Sequence, residues 1–169
     1  MIAVPSLLRR AYALVRPARL TVWITPELAL GPAFTNEQIP VLEREGVGAV
    51  IEVRSAPVDD EEALARRGIV LRRVPVKDRH APTQRQLQAT TRWALKQIAS
   101  GRKVYVHCLS GLGRSPCMAI AVLIAMGHPF SDAYSAVKAR RPWLNLSASQ
   151  REALERFERG LREGGPATG

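Results

Sequence analysis

The stretch His107-Cys108-Leu109-Ser110-Gly111-Leu112-Gly113-Arg114-Ser115 places a thiol, two glycines, a guanidinium and a hydroxyl within one short segment. A phosphate ester dianion must be met by many donors at once, and consecutive backbone N–H groups curled at a helix N-terminus supply them. Gly111 and Gly113 allow that curl, because glycine accepts positive φ and lets the backbone approach closely. The segment therefore predicts a cradle made by Leu109, Ser110, Gly111, Leu112, Gly113 and Arg114. Arg114 adds a planar fork that can grip two phosphoryl oxygens and follow their charge into a transition state. Cys108 lies in the same donor field, which should bring its pKa from about 8.5 into the range of roughly 3.5 to 7.5 and leave it a thiolate near neutral pH. A thiolate is the form that attacks phosphorus. The competing reading is a Cys108 that is merely a small buried hydrophobe.

An ester leaving group needs a proton, a contribution of about 10²- to 10⁴-fold in rate. The chain has four aspartates. Asp59 and Asp60 open an acidic segment and Asp132 opens another, so all three have ready roles as helix-start residues. Asp78 follows Val74-Pro75-Val76 and precedes His80-Ala81-Pro82, on a loop after a strand, where active sites collect. It is the candidate general acid, with His80 as the alternative. Arg79 and His80 are also candidates for contact with an anionic substrate.

The elements around these residues alternate. Leu20–Thr25, Gly48–Val53, Ile69–Val76 and Val104–His107 read as strands. Ile39–Glu45 is a short helical stretch, and Asp59 to Glu62 open a helix with Arg66 and Arg67 at its basic end. Thr83-x-x-Gln86 has capping-box spacing, and Leu87, Thr91, Ala94, Leu95 and Ile98 then recur on one face until Ser100-Gly101. Val104–His107 feeds the cradle and then the apolar run Met118–Met126, giving strand, loop, helix. Two more helices follow, one from Ser131 to Arg140-Arg141-Pro142, the other capped at Ser147 with Gln150 and burying Leu154, Phe157 and Leu161. The expectation is an α/β domain: a mostly parallel twisted sheet of about four to five strands with helices on both faces and ligands at the strands' carboxyl ends. Residues 1–19 form a basic segment, 20–162 the domain and 163–169 a tail.

His-Cys-x-x-Gly-x-x-Arg-Ser resembles the signature loop of the cysteine-dependent, dual-specificity-type protein phosphatases. The likeness takes in the Leu20–Gly31 entry, Val-Pro-Val-Lys-Asp before the long helix, and the last helix around Gln150, covering roughly residues 20–160. It implies a phosphocysteine intermediate on Cys108, phosphate binding by Arg114, assistance to intermediate breakdown by Ser115, and an acid-then-base role for Asp78. It further implies that His107 supports the loop by hydrogen-bonding backbone and favours the thiolate, with a simply packed histidine as the alternative. Gln150 matches in type a glutamine of this region in relatives. No metal or other cofactor enters that chemistry.

The net charge of +10 points to anionic partners, although Arg-rich composition on a solvated face would look the same. Phosphoprotein substrates carrying phosphotyrosine or phosphoserine/threonine are the leading expectation. Leu109, Ser110 and Leu112 add no positive charge to the cradle, whereas phosphoinositide-directed relatives often carry lysines there. A phospholipid head group becomes the main rival if the basic segment 1–19, with Arg9, Arg10, Arg16 and Arg19, makes peripheral membrane contact; a helix packed on the domain is the other reading of that segment. Nucleic acid is not expected, since only 5% of residues are aromatic. A binding module without catalysis would need neither thiol nor acid. Cys108 and Cys117 match neither a CxxC pair nor a zinc spacing, and no run nears the roughly 18 apolar residues of a membrane span. Free thiols and the lack of a convincing signal peptide favour the cytoplasm. Cys117 is read either as a packed thiol or as a protective disulfide partner of Cys108.

Overall fold

A computed structural model describes residues 20–56 and 58–164. Its centre is a five-stranded sheet in the order β1-β2-β5-β3-β4, formed by β1 (Val22–Trp23), β2 (Leu28–Gly31), β3 (Val47–Glu52), β4 (Val70–Arg73) and β5 (Lys103–His107). Only the β1/β2 pair is antiparallel. The central strands are buried on both faces, which is why they read as continuous apolar runs. Gly31 and Glu52 both pair with His107, so β2, β3 and β5 end level at one edge of the sheet. That edge carries the site.

Helices cover both faces. On one lie α1 (Ile39–Arg44), entered through a 3₁₀ turn at Asn36–Gln38, and α2 (Glu61–Ala65), whose Ile39, Leu42 and Leu64 bury against Ala29, Val50 and Tyr105. On the other lie α3 (Gln84–Ala99), α4 (Arg114–Ala125), α5 (Phe130–Arg140) and α6 (Ala148–Glu163). Helix α4 is buried from Arg114 to Ile124, because it packs on β2 and β5 and is itself covered by α3, α5 and α6. The capping boxes at Thr83 and Ser147 form as their spacing predicts.

Several boundaries differ from the expectations. The first strand shrinks to Val22–Trp23, and the Ile69–Val76 run pairs only over Val70–Arg73, where Pro75 lacks the N–H that a longer ladder needs. Leu161 is not buried but 40% exposed, lying past the end of the apolar stripe set by Leu154 and Phe157. Asp60 caps α2 by accepting from the Ala63 N–H, but Asp59 is not a helix-start residue; its carboxylate turns into the protein. The basic segment 1–19 and the tail beyond residue 164 lie outside the described residues.

Candidate active site

The loop after β5 is held from outside by its carbonyls. The Val53 N–H donates to His107 O at 2.8 Å, the Ala33 N–H to Leu109 O at 3.1 Å, and the Asn145 N–H to Leu112 O at 3.1 Å. Arg141 Nη2 donates to Ser110 O at 3.2 Å and to Gly111 O at 2.9 Å. In a trans peptide the N–H points away from the C=O. Drawing these carbonyls toward the body turns the N–H edges of the following residues toward the inside of the loop, ahead of the N-terminus of α4. That is an anion cradle assembled by backbone.

Gly111 makes the curl possible. Its φ is +73°, and a Cβ there would lie 2.6 Å from Arg141 Nη2 and 2.8 Å from the C and O of Gly31. Gly113 differs from the expectation: its φ is −132°, and its added Cβ would meet nothing closer than 3.7 Å. It is the N-cap of α4 rather than a left-handed turn residue.

Cys108 is 2% exposed, and its Sγ accepts from the Gly111 N–H at 3.2 Å and from the Ser115 hydroxyl at 3.4 Å. Burial by itself raises the thiol pKa. Hydrogen bonds from the Ser115 side chain and backbone and from the Gly111 backbone, together with the Arg114 charge, outweigh burial and hold the thiol below its ordinary value. Cys117 has the opposite setting. Fully buried one turn into α4, it is pushed up to about 12 by desolvation alone, the setting of a packed thiol.

Arg114 is 7% exposed, donates Nη1 to Val76 O at 3.1 Å and has Nη2 3.4 Å from Asp78 Oδ1. Its Nε is buried without a partner among the described residues. The structure thus sets Ser115 against Cys108 and Arg114 against Asp78, which is 80% exposed. His80 instead turns back on the loop, its Nδ1 2.9 Å from Asp78 O, and its carbonyl accepts from Gln150 Nε2 at 3.1 Å. Gln150 is buried and also accepts the Ser147 N–H, so it fastens the Asp78 loop to the cap of α6. Arg79 adopts φ +61° and lines a shallow pocket with Asp78, Gly113, Asn145, Ser147 and Gln150.

Several supporting residues escaped the sequence reading. His107 Nδ1 lies 3.2 Å from Cys108 O, the expected backbone contact, but Nε2 lies 2.5 Å from Asp59 Oδ2. Asp59 also pairs with Arg54 at 2.8 Å, and Arg54 pairs with buried Glu52. Only the buried-acid requirement of a charge partner would have pointed to them, and Asp59 beside Asp60 reads as a surface pair. Arg141, the clamp on two loop carbonyls, was hidden in a basic helix end.

A cysteine held in a backbone cradle at the carboxyl edge of a parallel sheet, followed by a buried arginine at the start of a central helix, defines the cysteine phosphatases of the dual-specificity type. A family model described as "Polymorphic toxin system, DSP-PTPase phosphatase" matches residues 29–128, and the chain belongs to this family of DSP-PTPase phosphatases. Human dual specificity protein phosphatase 8 is 30% identical over 153 residues, covering 86% of this chain and 24% of the relative. Phosphatidylglycerophosphate phosphatase PTPMT2 of Arabidopsis thaliana is 28% identical over 139 residues, covering 78% of this chain and 60% of the relative. The chain therefore spans less than two thirds of these relatives' length. The crystal structure of PTPMT1 superposes with a TM-score of 0.79 at 25% identity, covering 85% of this chain and 97% of that one. Tk-PTP in its active form superposes equally well, with a TM-score of 0.79 at 24% identity over 86% of this chain and all of that one, a likeness of fold.

Proposed function

We propose that the protein hydrolyses phosphomonoesters through a phosphocysteine intermediate on Cys108. The observation that carries this reading is the geometry of Cys108, whose Sγ accepts from the Gly111 N–H at 3.2 Å and from the Ser115 hydroxyl at 3.4 Å inside a backbone cradle that leads straight into buried Arg114. Arg114 and the N–H groups of Leu109 to Gly113 hold the three non-bridging oxygens. The thiolate attacks phosphorus, the P–O ester bond breaks, and the leaving oxygen takes its proton from the Asp78 carboxyl. Phosphate on Arg114 competes for the fork that Asp78 now approaches at 3.4 Å, which frees the carboxyl for that step. Water then attacks phosphocysteine and gives its proton to Asp78 as the S–P bond breaks. The departing thiolate takes the Ser115 hydrogen bond, and inorganic phosphate leaves.

The substrates we favour are phosphotyrosine and phosphoserine/threonine proteins. Similarity to dual specificity protein phosphatase 8 supports this, as does a cradle in which Leu109, Ser110 and Leu112 bring no charge. A phospholipid head group is the second reading, favoured by the similarity to PTPMT2, named for phosphatidylglycerophosphate.

The test is hydrolysis of an aryl phosphate without added metal, comparing the native chain with Cys108→Ser and Asp78→Asn. Cys108→Ser is expected to lose turnover; retained turnover overturns the mechanism. Asp78→Asn is expected to lose about 10²- to 10⁴-fold with a poor leaving group and much less with a good one. Equal losses with both remove Asp78 from the acid role.

A further inference from the structure

Behind the cradle lies a buried charge cluster that the hydrolysis steps do not use. His107 is fully buried, and both of its ring nitrogens face oxygen: Nε2 is 2.5 Å from Asp59 Oδ2 and Nδ1 is 3.2 Å from Cys108 O. A carbonyl can only accept, and Asp59 is an ionised acceptor because Arg54 Nη2 donates to its other oxygen at 2.8 Å. Only a doubly protonated ring donates to both partners.

The charges around it lead to the same state. Glu52 from β3 and Asp59 from the β3–α2 loop are both buried, and Arg54 is shared between them. Arg73 from β4 stands 3.8 Å from Glu52 but is also paired with Glu61. One more positive charge balances the cluster, and the His107 ring is the group in contact with Asp59. The aromatic rings against it among the described residues are Phe34, edge-on at 5.0 Å, and Tyr105, stacked at 5.7 Å, whose phenol burial keeps protonated. Neither supplies charge.

We propose that Asp59 is a positioning residue for the reaction: it holds His107 as a cation one peptide bond before the nucleophile, and that charge extends the thiolate form of Cys108 to lower pH. The proposal rests on the thiolate mechanism given above. It makes a sign prediction that proximity alone does not. Removing an anion near a thiol would by itself make the thiolate easier to form and lower the thiol pKa. Acting through His107, the same removal takes away a cation and raises it.

The experiment is the pH dependence of iodoacetamide alkylation at Cys108 in the full chain, for the native protein, Asp59→Asn, His107→Gln and the double variant. Asp59→Asn is expected to move the midpoint upward by about one pH unit or more. In the His107→Gln background it is expected to move it no further upward. An unchanged or lowered midpoint in Asp59→Asn, or an equal rise in the His107→Gln background, overturns the proposal. The ¹⁵N resonances of the His107 ring in the native protein give a measurement independent of whether these variants fold. Two protonated ring nitrogens at a pH where Cys108 is thiolate support the assignment, and one overturns it. Alkylation needs no turnover, so the two failures separate: active Cys108→Ser would sink the hydrolytic mechanism, whereas an unshifted Asp59→Asn would remove only the role of Asp59.

Discussion

Gly111→Ala isolates the curl of the cradle from its chemistry. At φ +73° a side chain enters the left-handed region, which costs roughly 1–2 kcal/mol for an ordinary residue. The new Cβ would also lie 2.6 Å from Arg141 Nη2 and 2.8 Å from the Gly31 backbone. The arginine is the end of a flexible side chain, but Gly31 closes β2 and is paired with His107, so the loop is the part that gives. Overpacking of this kind costs about 1–3 kcal/mol, making a total of roughly 2–5 kcal/mol against a domain stability on the order of 5–15 kcal/mol. The variant should fold with a displaced loop. The Gly111 N–H then leaves Cys108 Sγ, now 3.2 Å away, and a misplacement of about 1 Å in such a site is worth on the order of 10²-fold in rate. Aryl phosphate turnover and thermal unfolding read the two effects separately. Gly101→Ala is the control, since Gly101 has φ +83° with nothing within 4 Å of its Cβ position: it should lose about 1–2 kcal/mol of stability and keep its turnover. Native turnover and stability in Gly111→Ala would refute this account of the loop.

Ser115→Ala removes a hydrogen bond to a charged sulfur, worth about 1.5–3 kcal/mol, so the Cys108 midpoint should rise by roughly one to two pH units. Because this thiol sits below its ordinary value, the loss appears on the acid side: the rate of alkylation falls below neutrality and recovers as pH rises, and an unmoved midpoint would refute the Ser115 contact. Cys117, raised to about 12 by burial, should stay unmodified while Cys108 reacts, so mass spectrometry of the folded protein treated near about pH 8 should show one adduct. Two adducts without denaturant would reopen a redox role for Cys117.

The parts legible in the sequence are those whose chemistry fixes residue type and spacing together. A backbone cradle needs glycine where φ turns positive and an arginine at the start of the next helix, so Cys108, Gly111, Arg114 and Ser115 could be read as one unit. The capping boxes at Thr83 and Ser147 were legible for the same local reason. Asp59 was not, because its partner His107 lies 48 residues away and is joined to it only by the sheet. Arg141 is likewise set by packing across helices, with nothing in its neighbourhood to distinguish an arginine that touches the loop from one in water, and Gln150, legible as the partner of Ser147 in its capping box, gave no local sign of its reach to His80 O. Gly113 was misread because its spacing fits a curl, whereas its backbone shows that it only opens α4.

The way the loop is held also bears on selectivity. Its carbonyls are tied to Ala33, Arg141, Asn145 and Val53, and its N–H edges turn to the inside of the loop, so its backbone has little left with which to tell one phosphate ester from another. The exceptions are side chains that leave the cradle: Leu109, 58% exposed, and beyond the loop Arg79 on its strained turn and Trp143, 81% exposed next to the Leu144-Asn145 segment that braces Leu112. Large exposed apolar groups beside a charged cleft are where recognition of the rest of a substrate has surface to work with. Changes at these positions should therefore alter KM among substrates while leaving the turnover of a small aryl phosphate unaltered, because they touch neither the thiolate nor its donors.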